Sequence, residues 1–236
     1  MKNFQSAKTA ITKLAAGLIV LAIVLAGAIG LFAFNKVFPP NSNPTPTPTT
    51  ESLILSHTSY TDSLGYFYVV GEAKNKLSSN IHYVQITATF YDSGSTAIGT
   101  AYGFTDMDIL TPNQKSPFDL ISFPDTIVPA SYKLTVSYLA TADQPFQGLA
   151  ILSNTPSVDS SGYHKIVGEV KNNGAAQATY VEVDCTYYDS AGKVMGISYT
   201  FTDPKDLNAG DVAQFELSSF PRIITPASYE LQVQGR

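Results

Sequence analysis

Polar and apolar residues alternate strictly in two stretches of this chain. Tyr83–Asp92 reads Tyr-Val-Gln-Ile-Thr-Ala-Thr-Phe-Tyr-Asp, with Val84, Ile86, Ala88 and Phe90 apolar and Gln85, Thr87 and Thr89 polar between them. Tyr180–Asp189 repeats it, with Val181, Val183, Cys185 and Tyr187 on one parity and Glu182, Asp184 and Thr186 on the other. Period-two alternation predicts a strand with one dry and one wet face. The two stretches are 97 residues apart, and that offset holds without a gap from Leu53–Leu139 onto Ala150–Arg236. Gly71-Glu72-Ala73-Lys74-Asn75 falls on Gly168-Glu169-Val170-Lys171-Asn172, and Pro129-Ala130-Ser131-Tyr132 falls on Pro226-Ala227-Ser228-Tyr229. The chain therefore holds two copies of one small domain.

Parity assigns the other strands of each copy. A short first strand lies near Leu53–Ser56, and a turn at Asp62–Gly65 leads into Tyr66–Asn75. There Phe67, Val69, Gly71 and Ala73 point inward, as do His164, Ile166, Gly168 and Val170 in the second copy. The outward set of that copy is Lys165, Val167, Glu169 and Lys171, mostly charged as a wet face should be. After the turn at Asp92-Ser93-Gly94, a fourth strand is read with Ile98, Thr100, Tyr102 and Phe104 inward. Phe118 and Leu120 follow a longer loop, and the last strand carries Tyr132, Leu134 and Val136. Six or seven short strands with Gly, Asn, Asp and Pro at their turns predict an all-β fold of two tandem sandwiches, residues 51–139 and 149–236, with a linker at 140–148.

The first 50 residues have a different character. Residues 1–13 are polar and carry three lysines, and Leu14–Phe34 is an uncharged run of 21 residues. As a helix this run spans about 31 Å, the thickness of a hydrocarbon core. The lysines ahead of it predict a cytoplasmic N-terminus with everything after the helix outside. Ala26-Gly27-Ala28 resembles a signal-peptidase site, but Ile29–Phe34 stay apolar beyond it, which favours an uncleaved anchor. Residues 35–50, rich in Pro and Thr, predict an extended stalk.

Charge changes the picture of partners. Four of the 14 basic residues (Lys2, Lys8, Lys13, Lys36) and none of the 19 acidic residues precede Glu51, which leaves the rest at ten basic against 19 acidic. An acidic ectodomain repels phosphate backbones, so nucleic acid is excluded as the expected partner. The single cysteine, Cys185, lies on the inward parity opposite Ala88 of the other copy and reads as a core residue.

Chemistry-bearing patterns are sparse. His57, His82 and His164 have no counterparts between copies, and no pair of His, Glu or Cys has metal-ligand spacing. No nucleophile or oxyanion-loop signature accompanies them, so the chain is expected not to be an enzyme and to need no cofactor. Loop carboxylates recur at Asp92 and Asp189 and at Asp106 and Asp203, with Asp108 and Asp206 nearby. They are the candidates for a calcium site through oxygen ligands; the competing reading is that such aspartates cap their own turns. Tyr91 and Tyr188, on the outward parity, are the candidates for contact with a partner. The copies diverge at Lys76–His82 against Asn173–Thr179 and across most of Met107–Pro117 against Pro204–Gln214, where any specificity is expected.

The run Val-Gly-Glu-(Ala/Val)-Lys-Asn, then Tyr-Val-x-(Ile/Val), then (Phe/Tyr)-Tyr-Asp resembles the FxLYD domains of prokaryotic secreted and membrane-anchored proteins. Of the naming motif, Tyr91-Asp92 and Tyr188-Asp189 match, while its Phe falls on Ala88 and Cys185 and its Leu on Phe90 and Tyr187. The resemblance implies an immunoglobulin-like sandwich in an extracytoplasmic setting and no common active site. Together these readings predict a single-pass membrane protein of the cell envelope, a non-catalytic interaction or adhesion module with an envelope protein as partner. The alternative is a surface protein that binds a small ligand, carbohydrate or calcium on its acidic loops.

Overall fold

A computed structural model of the chain describes residues 47–50 (backbone only), 53–122, 129–218 and 225–236. The run read as a membrane helix, Leu14–Phe34, and most of the stalk lie outside the described residues. Among the described residues no helix is long and apolar enough to cross a membrane. The described structure is all-β.

The first copy is built from β1 (Thr47–Thr50), β2 (Ile54–Thr61), β3 (Phe67–Lys74), β4 (Asn80–Tyr91), β5 (Ala97–Phe104), β6 (Ile109–Leu110), β7 (Lys115–Ser122) and β8 (Ser131–Thr141). One antiparallel sheet runs β2-β3-β7; the other runs β1-β8-β4-β5, with β6 also on β4. The second copy repeats this as β9 (Leu149–Val158), β10 (His164–Asn172) and β13 (Val212–Ser218) in one sheet, and β11 (Glu182–Tyr188), β12 (Val194–Phe201) and β14 (Ser228–Gln234) in the other. In each copy the inner faces of the two sheets meet in one core. Val69, Phe118 and Leu120 from one sheet pack with Ile86, Phe90 and Val136 from the other, and Ile166, Phe215 and Leu217 pack with Val183, Cys185 and Tyr187. These are the residues that the alternation places inward.

The Gly-Glu-x-Lys-Asn repeat has a structural explanation. Asn75 is fully buried, donates from Nδ2 to the carbonyls of Ser79 and Leu110, and accepts at Oδ1 from the Leu77 amide. Asn172 makes the same three bonds with Ala176, Leu207 and Gly174. Each asparagine thereby ties the loop after its own strand to the paired segment at Leu110 or Leu207, its side chain taking the place of a further backbone partner.

Two sequence expectations need correction. In β5 the inward residues are Ala101 with Gly99 and Gly103, which lie opposite Ala88, Phe90 and Ile86; Thr100, Tyr102 and Phe104 point outward, Tyr102 being 59% and Phe104 48% exposed. Residues directly opposite on paired strands share a face, so the core parity of β4 dictates that of β5. Small residues fill the inner side because the sheets come close: a Cβ on Gly103 would sit 2.6 Å from the Asp119 carbonyl oxygen. The second correction is at the stalk boundary. Thr47–Thr50 pairs antiparallel with Thr135–Tyr138, so the last four residues read as stalk are an edge strand, where Pro48 costs no central ladder bond.

The linker between copies is short. Strand β8 runs to Thr141 and β9 begins at Leu149, and Phe146 between them packs against the second core.

Candidate functional site

The candidate calcium ligands separate into three groups. Asp92 Oδ1 accepts from the amides of Gly94 and Thr96, and Asp189 Oδ1 from those of Ala191 and Lys193, so both cap the turns that they begin. Asp62 and Asp159 do the same one hairpin earlier. Asp206 Oδ1 accepts from the Tyr180 amide, and Asp203 is an exposed residue whose backbone pairs with Gln214. Asp106 and Asp108 lie elsewhere, between the copies. Among the described residues no group of three His, Cys, Asp or Glu side chains has the geometry to hold a metal ion. Each histidine sits against an aromatic ring: His57 bonds the Tyr132 hydroxyl at 2.8 Å, and the rings of His82 and His164 lie 4.5 and 5.4 Å from those of Tyr83 and Tyr187. Cys185 is in the second core, where burial pushes its thiol up to about 12.

The polar residues that converge are in the joint between the copies. Strand β12 lies over β2, β3 and β7, and β11 over β7, so the outer face of the second copy's β12-β11-β14 sheet packs on part of the outer face of the first copy's β2-β3-β7 sheet, leaving Tyr199 and Ile121 exposed. This explains why outward residues of β3 are buried. Val70 is 2% exposed while its counterpart Val167, on an uncovered face, is 44% exposed. Glu72 is buried beside Val70, and Tyr60 and Tyr68 stack at 4.9 Å along the same face.

Tyr188, a candidate for partner contact, has the first copy as its partner. Its hydroxyl donates to Glu72 Oε1 at 2.6 Å and accepts from Lys115 Nζ at 2.7 Å. Lys115 also contacts Glu72 at 3.1 Å and Glu230 at 2.6 Å, so one ammonium joins both copies. Burial pulls the Lys115 pKa down, but its bonds to Glu230, Tyr188 and Glu72 outweigh that and raise it. Gln232 Nε2 donates to the Lys115 carbonyl, Gln234 Nε2 to the Asp106 carbonyl, and the Asp108 amide donates to Gln234 Oε1. Arg236 pairs with Asp108 at 2.8 Å at the rim. Tyr91, the counterpart of Tyr188, is half-buried on the outer face of the first copy's other sheet, on which no described element of the second copy packs.

Beside this network lies a knot of carboxyls. Asp184 is 1% exposed, and Asp106, though its residue is half-buried, has its Oδ2 out of solvent; Asp106 Oδ2 and Asp184 Oδ1 have no hydrogen-bond partner. Burial, with the nearby charges of Asp119 and Glu182, pushes Asp106 up to about 8. Burial, then Asp106 and Glu182, holds Asp184 well above the ordinary carboxylate range, and Glu182, hydrogen-bonded to Asp184, is raised by burial too. A cleft of about 120 Å³ lined by Asp106, Asp108, Glu182, Gln234 and Arg236 opens onto them. The arrangement keeps protons on carboxyls at the joint, because two buried carboxylates from different copies cannot both ionise cheaply. The sequence marks Asp106 and Asp108 as candidates, while alternation places Glu182 and Asp184 on a wet face. A signal was present, since the first copy has Gln85 and Thr87 at those positions.

No protein-family model and no curated protein matches this chain. Among solved structures, β-glucuronidase 2 of Bacteroides uniformis is similar over 81% of this chain and 31% of its own, at 17% identity and a TM-score of 0.25. Red sea bream transglutaminase is similar over 77% of this chain and 29% of its own, at 8% identity and a TM-score of 0.26. A family 2 β-galacturonidase from Eisenbergiella tayi is similar over 86% and 42%, at 14% identity and a TM-score of 0.22. The chain spans less than half the length of each, and similarity at this level carries no argument about activity.

Proposed function

We propose that this chain is a single-pass, membrane-anchored module of the cell envelope, with two immunoglobulin-like sandwiches outside the membrane that bind or space other proteins and perform no catalysis. The observation behind this reading is how the polar side chains are used. Glu72, Lys115, Tyr188 and Glu230 serve the joint, Asn75 and Asn172 hold loops, and Asp92 and Asp189 hold turns. The residues spent on structure are those that a reactive site would otherwise need, and what they build is a fixed pair of domains presenting two outer sheet faces. The acidic, uncharged-run and Pro/Thr features of the sequence supply the extracytoplasmic setting.

The cation-binding alternative has one observation on its side, the cleft onto Asp106, Asp108 and Glu182 beside the partnerless Asp184 Oδ1. Melting the protein with calcium against EDTA separates the two: an unchanged melt belongs to the first reading, a rise of several degrees with calcium to the second.

The direct test of the first reading uses the full chain with a C-terminal tag. Carbonate washing should leave the tag with the membranes, and protease added to intact cells should remove it. A tag in the soluble fraction, or one protected from external protease, contradicts the proposal.

A further inference from the structure

The joint within the chain is heterologous. The outer face of a β12-β11-β14 sheet meets the outer face of a β2-β3-β7 sheet, two different surfaces of one repeated domain. Because the domain is duplicated, each surface exists a second time. Among the described residues, nothing packs on the first copy's β8-β4-β5 face, counterpart of the one that docks, or on the second copy's β9-β10-β13 face, counterpart of the one that receives. The four sheets are stacked, so these two free faces are at opposite ends and cannot reach each other within one chain.

We propose that a second copy of this chain docks there, the β8-β4-β5 face of one molecule against the β9-β10-β13 face of the next, repeating the internal joint between molecules. This deepens the reading above by supplying its partner, and it rests on the joint rather than on the anchor.

Three observations argue for it. First, the residues at the centre of the internal joint have counterparts that form a matching set. Glu72 and Tyr188 become Glu169 and Tyr91, unchanged in type. Second, the charge swap is compensated. Lys115, on the receiving face, becomes Val212, and Glu230, on the docking face, becomes Lys133. The cation has moved to the other side of the joint, where it meets Glu169 beside Tyr91, so lysine, glutamate and tyrosine recur in new hands. Asp184 and Glu182 become Thr87 and Gln85, which removes the carboxyl crowding. Third, the receiving face exposes Val167 at 44%, where its counterpart Val70 is 2% exposed inside the internal joint, and Val212 is exposed on the same face.

A joint of this type is not two-fold symmetric. Each docked molecule leaves one face of each kind free, so the product grows head to tail, as a row or a ring, beyond a dimer. The internal joint forms at the high effective concentration that the short linker imposes; the external one depends on local crowding of the chains.

The test is disulfide trapping in the full chain. Gln232 Nε2 reaches the Lys115 carbonyl in the internal joint, and the counterparts of these residues are Thr135 and Val212, both exposed. Chains carrying Thr135→Cys and Val212→Cys together should, on mild oxidation, give a ladder of dimers, trimers and higher multiples. Co-expressed single-cysteine chains should give only the mixed dimer. Lys133→Glu alone and Glu169→Lys alone should each reduce the ladder at least fivefold, and the two together should restore it. Lys133 is exposed and Glu169 half-buried, and a thermal melt of each variant checks that it is folded. Absence of cross-links, like-with-like dimers, or failure of the charge swap to rescue would each overturn the proposal. Cross-links are read in whichever fraction the chain occupies, so loss of anchoring and loss of pairing are distinct results.

Discussion

At the scale of single residues, the carboxyls of the joint make the sharpest statement. The folded pKa of Asp106 is raised to about 8 from the ordinary 3.8, chiefly by burial. A raised carboxyl contributes its full stability below its unfolded pKa and loses it as pH climbs through the folded value. Asp184 and Glu182 are shifted in the same direction, so their contributions add to the slope. The full chain should therefore melt at lower temperature at pH 8.5 than at pH 5. Asp106→Asn should make the profile shallower and raise the pH 8.5 melt, since it removes a charge that must ionise without a partner. A gain of about 1–3 kcal/mol at that pH is expected, or roughly 2–4 °C per kcal/mol for a chain of this length. A melt that rises with pH in the parent chain would count against the protonated knot. None of this was readable along the chain, because Asp106, whose charge raises Asp184, lies 78 positions from it, and Glu182, whose charge raises Asp106, lies 76 positions away.

At the scale of the strand, periodicity was a good guide where one parity is apolar and the other polar. Strands β4 and β11 have that property, and Val84, Ile86, Ala88 and Phe90, with Val181, Val183, Cys185 and Tyr187, are all buried. Strand β5 does not. Its inner side is Gly and Ala because the sheets approach closely, and its aromatics are outside, so hydrophobicity points the wrong way. Register against β4 settles it, and register is a property of two strands rather than one. The outward face of β3 was legible only in part: Val70 and Val167 share an apolar residue on the wet parity, a trace of a surface that is covered in one copy. The parity of β4 has a simple check. Ala88→Glu should cost more than about 3 kcal/mol by burying a charge among Ile86, Phe90 and Leu134, whereas Thr87→Glu should cost about 1 kcal/mol or less. Urea unfolding of both variants reads this directly; equal losses would contradict the assignment.

At the scale of the whole molecule, duplication accounts for more than the fold. Two copies with the same turns, the same buried asparagines and the same core differ mainly in loops and on outer faces. One pair of faces is consumed in the joint, where Lys115, Glu72, Tyr188 and Glu230 cross between copies. That arrangement turns two small domains into one body, and it is what the functional reading requires, since a spacer or docking module must hold its outer faces at fixed separation. The measurement that tests this most directly is a double-mutant cycle across the joint, with Glu72→Gln, Tyr188→Phe and their combination unfolded by denaturant in the full chain. If the copies are locked face to face, the two substitutions should couple by about 1–3 kcal/mol. Additivity within about 0.5 kcal/mol would mean that Glu72 and Tyr188 do not meet, and the joint as described would not exist.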